Sequence, residues 1–177
     1  MRLILALVTA MLLLPLASCA APPDEEELIG RGSPTPQGAV ESFLDSLNSA
    51  LGDPNLADPA TRRGWAERLA AYFAPSERAD QRAAMGAMLA AFIDSASRPV
   101  VGSQVRLEIS YSSIELISRQ GDEALVRVVD GVITLRWLDE TGEVVRERRS
   151  GLTELIGQES GGLPVLRVGS SWYMTEG

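Results

Sequence analysis

The chain has 177 residues, 45% of them hydrophobic, with no histidine, no lysine and a single cysteine. Its 24 acidic residues against 16 arginines leave a net charge of −8, which argues against nucleic acid or an anionic bilayer surface as a partner, because both repel an acidic protein. Without histidine the usual general base and the commonest metal ligand are missing, and with one cysteine as well a zinc-type site is all but excluded; no metal or cofactor is expected.

The first residues have the three parts of an export signal: Met1-Arg2 as a short positive start, Leu3 to Leu14 as the apolar stretch, then Pro15 and small residues. At about 1.5 Å per residue the apolar stretch covers roughly 18 Å against a hydrocarbon core of about 30 Å, too short for a transmembrane helix. It closes on Leu16-Ala17-Ser18-Cys19, which resembles the lipobox at which bacterial signal peptidases cut and lipidate exported proteins. The resemblance implies cleavage between Ser18 and Cys19 and a thioether-linked diacylglyceryl group on Cys19, a membrane lipid anchor whose two acyl chains hold stably where one does not. The alternative is ordinary cleavage after Ala20, with Cys19 discarded. A lone cysteine in that slot and nowhere else favours lipidation. Ala20 after the cysteine is compatible with delivery to an outer membrane in a two-membrane bacterium, or with the outer face of the cell membrane in a one-membrane cell.

Three segments follow: residues 1–18 as signal peptide, 19–35 as lipidated cysteine and tether, and 36–177 as one domain. Losing Arg2 makes the mature protein one unit more negative, and with Cys19 spent on lipid the domain has no disulfide and stands on its apolar core. The tether holds Pro22, Pro23, Pro34 and the acidic run Asp24 to Glu27, with no apolar period to bury. As a flexible coil it spans about 22 Å, and at most about 55 Å extended. The acidic run reads as a solvated spacer.

Helices come first in the domain. Thr35-Pro36 is an N-cap followed by proline at the first helical position, and Val40, Phe43, Leu44, Leu47 and Leu51 then recur at helical spacing up to Gly52-Asp53-Pro54. Asp58-Pro59 repeats the start signal, and Trp65, Leu69, Tyr72 and Phe73 make one face of a second helix ending at Pro75. Ser76 is placed to cap a third, whose inner face is Met85, Met88, Leu89 and Phe92. Its many alanines, with Gly86, suit close approach to a neighbour. Arg98-Pro99 ends the helical half.

From Gln104 the period becomes two. Val105, Leu107, Ile109 and Tyr111 alternate with polar residues, and Ser112-Ser113 shifts the phase so that Ile114 and Leu116 continue it, as at a bulge. Gly121-Asp122 turns the chain into Glu123 to Leu138. Within it Asp130-Gly131 is either a hairpin turn or, as favoured here, a bend in one long strand. After Asp139 to Gly142, Glu143 to Ile156 runs back antiparallel. Pairing Leu138 with Glu143 sets Gly131 against Ser150 and Asp130 against Gly151, which puts two glycines side by side where the sheet bends, and Arg127 against Glu154. Leu163 to Val168, a Gly169-Ser170-Ser171 turn and Trp172-Tyr173-Met174 close the chain.

Three helices followed by a long, bent antiparallel sheet, opening on Pro36-Gln37-Gly38-Ala39-Val40-Glu41-Ser42-Phe43-Leu44 and closing on a hairpin with Trp172-Tyr173, resemble the cone-shaped nuclear transport factor 2-like superfamily, and within it small bacterial lipoproteins. The resemblance covers residues 36–177. It implies an α+β fold with the helices on the concave face of a strongly bent antiparallel sheet, and a pocket that serves isomerases and dehydratases in some members and binding in others. Its ketosteroid-isomerase-like members use an Asp base with a Tyr and a neutral Asp. Tyr111 and Asp130 are the nearest counterparts here, with core packing and a bend as their plainer roles. Members that depend on a His-Asp pair are excluded by the missing histidine.

The aromatic and methionine positions read as core. Arg146, Arg148 and Arg149 interleave with Glu143 and Glu147 as a mixed-charge strand. Arg146 and Arg148 share one face and Arg149 takes the other, so an inward-pointing Arg149 would anchor an anionic ligand. The expectation is therefore an exported, lipid-anchored module of a bacterial envelope that binds a protein partner or a small apolar or anionic ligand. The alternative is an isomerase or lyase with a carboxylate base. The sequence carries no signal for an oligomeric state.

Overall fold

The computed structural model of the chain describes residues 32–96, 104–152 and 162–176; the leader, Cys19 and the tether lie outside them, as do Arg98-Pro99 and Glu154. Among the described residues three helices precede seven antiparallel strands, an α+β fold. No described helix is long and apolar enough to cross a membrane.

Helix α1, Pro36–Leu51, starts where the sequence asks it to: Thr35 is extended and its hydroxyl accepts from the Gly38 N–H at 3.1 Å, with Pro36 in the first turn. Its stripe of Val40, Phe43, Leu44, Leu47 and Leu51 is buried. In the following turn Asp53 accepts from the Trp65 indole N–H at 2.7 Å and from the Asn55 N–H at 2.8 Å, tying the turn to α2, Pro59–Ala70. Asp58 caps α2 by accepting from the Thr61 N–H at 2.8 Å. The helix stops at Ala70, before the expected limit. Tyr72 and Phe73 are buried from the segment after it, where the Tyr72 carbonyl accepts from the Met174 N–H at 2.9 Å. Trp65 is only half-buried, with the Arg68 guanidinium 3.8 Å from its ring centre.

Helix α3, Arg78–Ala96, begins after the Pro75–Glu77 turn, so Ser76 is in that turn rather than at the cap. Leu89 is fully buried, and Met85, Met88 and Phe92 pack against the core half-exposed. A Cβ on Gly86 would stand 3.8 Å from that of Ala66, so the small residues do bring α3 close to α2.

The strands are β1 (Gln104–Ser110), β2 (Ser113–Gln120), β3 (Glu123–Val129), β4 (Val132–Leu138), β5 (Val144–Gly151), β6 (Gly162–Val168) and β7 (Ser171–Met174). They form two sheets, ordered β1-β4-β5 and β2-β3-β6-β7. One ribbon joins them. Ser110 pairs with Val132 and Ser113 with Val129, so β1 running into β2 and β4 preceded by β3 keep one register across an interruption of two residues on each strand. This is the favoured bent strand, not a hairpin at Asp130-Gly131. Asp130 takes φ of 51° there, a left-handed conformation that Asp tolerates better than most residues, and its carboxylate accepts from the Ser112 hydroxyl at 3.0 Å.

Three details of the sheet depart from expectation. Ser112 belongs to the bend, and the bulge falls at Ile117, between Leu116 and Ser118. The β4–β5 register is displaced by two residues: Leu138 pairs with Val144, Val132 with Gly151, and the Leu152 N–H donates to the Gly131 carbonyl at 2.8 Å. The cause is the turn. The Asp139 carboxylate accepts from Thr141 and Glu143 N–H groups at 2.9 and 3.0 Å, which makes a longer loop than a tight hairpin, and a bulge beside Trp137 and Leu138 absorbs another residue. Gly131 therefore meets a side chain, not another glycine: an added Cβ would stand 2.8 Å from that of Leu152. Arg127, finally, lies between Glu115 of β2, which it meets at 2.7 Å, and Gly162 of β6, so both its lateral neighbours differ from the expected Glu154.

The core lies between α1 and the four-stranded sheet, where Val126, Val128, Leu163, Val165, Trp172 and Met174 are buried against the α1 stripe. Helix α1 also reaches the other sheet. The Asn48 amide donates to the Ile109 carbonyl and accepts from the Ile109 N–H, both at 2.8 Å, so a side chain completes the free edge of β1.

Candidate binding groove

The helix-facing side of the three-stranded sheet is half-covered. On that side Val105 pairs with Trp137, Leu107 with Leu135 and Ile109 with Ile133; the last pair is buried under α1, and the first two pairs are half-exposed. With Ala91, Phe92 and Ser95 of α3 they line an apolar groove of about 350 Å³, a volume near the lower end of the roughly 300–1,000 Å³ of small-molecule sites. The groove exists because α3 packs chiefly along α2 and meets the sheet only near its C-terminal end.

Strand β5 supplies the charge. Directly opposed residues of an antiparallel pair point to one face, so Arg146, opposite Trp137, and Arg148, opposite Leu135, stand on the groove side. The Arg146 guanidinium lies 4.8 Å from the Trp137 ring centre. Glu147, between them in sequence, points the other way. There it accepts from Arg136 at 2.8 Å and Arg149 at 2.8 Å, while Arg136 also reaches Glu108 at 2.6 Å. The hydrogen bond from Arg136 first, and the charge of Arg149 after it, hold the Glu147 carboxyl below its ordinary pKa; those from Glu147 and Glu108 push Arg136 up.

This placement corrects the reading of Arg149 as an inward anchor. Its side chain is 66% exposed on the outer face and paired with Glu147; the guanidiniums on the helix side are its neighbours Arg146 and Arg148. Tyr111 is half-buried against the core, and burial, followed by the charges of Asp45 and Glu41, raises its pKa and favours the neutral phenol. Asp130 is exposed at the bend and engaged by Ser112. Neither Tyr111 nor Asp130 lines the groove, and the buried polar residues among those described are Ser33, Gln81 and Thr134, none of them a carboxylate. Nor do three or more acidic side chains converge to hold a metal ion among the described residues.

Another opening, about 470 Å³ between α2 and α3, carries Arg62, Arg63, Glu67 and Arg82. Arg62 is there engaged by the Leu56 and Ala57 carbonyls, and Arg82 by Glu67 at 3.6 Å. The groove beside Trp137 is not legible in the sequence, because its lining comes from three separate elements, α3, β1 and β4. The alternation of Trp137 and Leu135 with Arg136 was the available sign that these apolar residues share one face. No family model matches the chain, and no curated protein matches it in sequence.

Proposed function

We propose that this is a lipid-anchored protein of a bacterial cell envelope, with a nuclear transport factor 2-like domain that binds rather than catalyses. The observation that carries the address is the lone cysteine of the chain, Cys19, closing an apolar leader in Leu16-Ala17-Ser18-Cys19. The bent ribbon and the helices on one side of it support the cone-shaped fold, and the groove between α3, β1 and β4 is its binding site. Arg149 and Asp130, turned away from that groove, have no part in binding. The alternative isomerase or lyase would need a carboxylate facing a cavity; the engagement of exposed Asp130 by Ser112 weighs against it.

The anchor and the site are tested separately. In native membranes the wild type fractionates with the bilayer as the processed form, while Cys19→Ser remains with it only as unprocessed precursor; wild type released in soluble form overturns the anchor. A photoreactive amino acid at Ser95, on the groove, captures an envelope molecule that the same probe at Ser49, exposed on α1, does not. Equal capture from the two positions overturns the site.

A further inference from the structure

Resting on that reading of the groove, we infer that its ligand is a single-chain amphiphile with an anionic head: an apolar chain lies against Phe92, Leu107, Leu135 and Trp137, and a carboxylate meets Arg146 and Arg148.

Three observations carry this. The groove walls are apolar, and no residue lining it is charged, so whatever fills it presents hydrocarbon to it. The two guanidiniums beside it stand opposite Trp137 and Leu135 on the same face, so head and chain would be recognised by adjoining groups. Among the described residues neither is paired with a carboxylate, although acidic residues outnumber arginines in the chain: the glutamate between them, Glu147, is turned to the other face and engaged by Arg136 and Arg149. A planar, permanently charged guanidinium matches a carboxylate with two parallel donors, and Arg146, with its guanidinium 4.8 Å from the Trp137 ring centre, is already held beside the ring. A neutral chain of equal length would lose that contact, and a cationic one would be repelled by it.

The test uses the full-length protein in membranes and a photoreactive diazirine derivative of laurate, with the matching diazirine alcohol as neutral control. The laurate probe labels peptides carrying Phe92 and Trp137, free laurate competes and dodecanol does not, and the alcohol probe labels the same peptides about tenfold less, the factor that losing one charge-assisted hydrogen bond brings. Arg146→Gln combined with Arg148→Gln removes the preference for the carboxylate, and replacing both by Lys restores much of it. Ser95→Trp, which fills the groove from an exposed helical position, abolishes labelling by both probes. Equal labelling by the two probes, a preference that survives the double Gln variant, or labelling that survives Ser95→Trp overturns the inference. Those results leave the binding-module reading to the Ser95 capture experiment, whose readout is the captured molecule and not the amphiphile.

Discussion

Asn48 closes an edge that the sheet leaves open. Strand β1 ends the order β1-β4-β5, and the backbone groups of Ile109 would face α1 unpaired without the amide that binds both of them. A partly buried donor and acceptor left without partners cost about 1–3 kcal/mol. Asn48→Ala is therefore expected to lower the unfolding free energy by about that amount, read from urea denaturation; Asn48→Asp keeps the acceptor but loses the amide donor to the Ile109 carbonyl, and is expected to fall below wild type too. A loss within about 0.5 kcal/mol, the range of ordinary surface substitutions, would show that water replaces the amide and that the edge needs no closure.

The elements divide between those that local chemistry writes and those that depend on a neighbour. Helices α1 and α2 have their starts in Thr35-Pro36 and Asp58-Pro59, because a side chain that caps its own backbone needs nothing from the rest of the molecule. The end of α2 is set at long range instead, where Tyr72, Phe73 and Ala74 leave the helix to meet Met174. Two glycines put this division to the test. A Cβ on Gly64, inside α2, meets nothing within 4 Å, so Gly64→Ala is expected to stabilise the protein by about 0.5–1 kcal/mol through helix propensity alone. Gly131→Ala drives its methyl into Leu152 at the bend and is expected to destabilise by about 1–3 kcal/mol. Thermal unfolding of both variants reads the signs, and stabilisation at Gly131 would mean that Leu152 yields freely and that the bend does not require a residue without a side chain.

At the scale of the whole molecule, α1 ties the two sheets together: it packs on β2, β3, β6 and β7 and binds β1 through Asn48. The fold should unfold as a unit. Leu47→Ala, in the buried stripe of α1, is expected to cost about 2–5 kcal/mol and to move the far-ultraviolet dichroism and tryptophan fluorescence transitions together. Fluorescence reports here on Trp65 in α2, Trp137 in one sheet and Trp172 in the other. Separated transitions would show that the sheets unfold independently.

The starts of α1 and α2, the inner face of α3 and the bend between β3 and β4 could all be read from the residues, because each rests on spacing and on the preferences of neighbouring groups in the chain. The β4–β5 register, the bulge at Ile117, the lateral partners of Arg127 and the outward turn of Arg149 could not. They depend on how the Asp139 turn folds and on which strand lies alongside, and a slip of two residues keeps every side chain on its face while changing each partner. The groove belongs to the same class. Phe92, Leu107 and Trp137 show their types in the sequence, but only the packing of α3 chiefly along α2 leaves them half-exposed beside Arg146 and Arg148, with Glu147 turned to the other face.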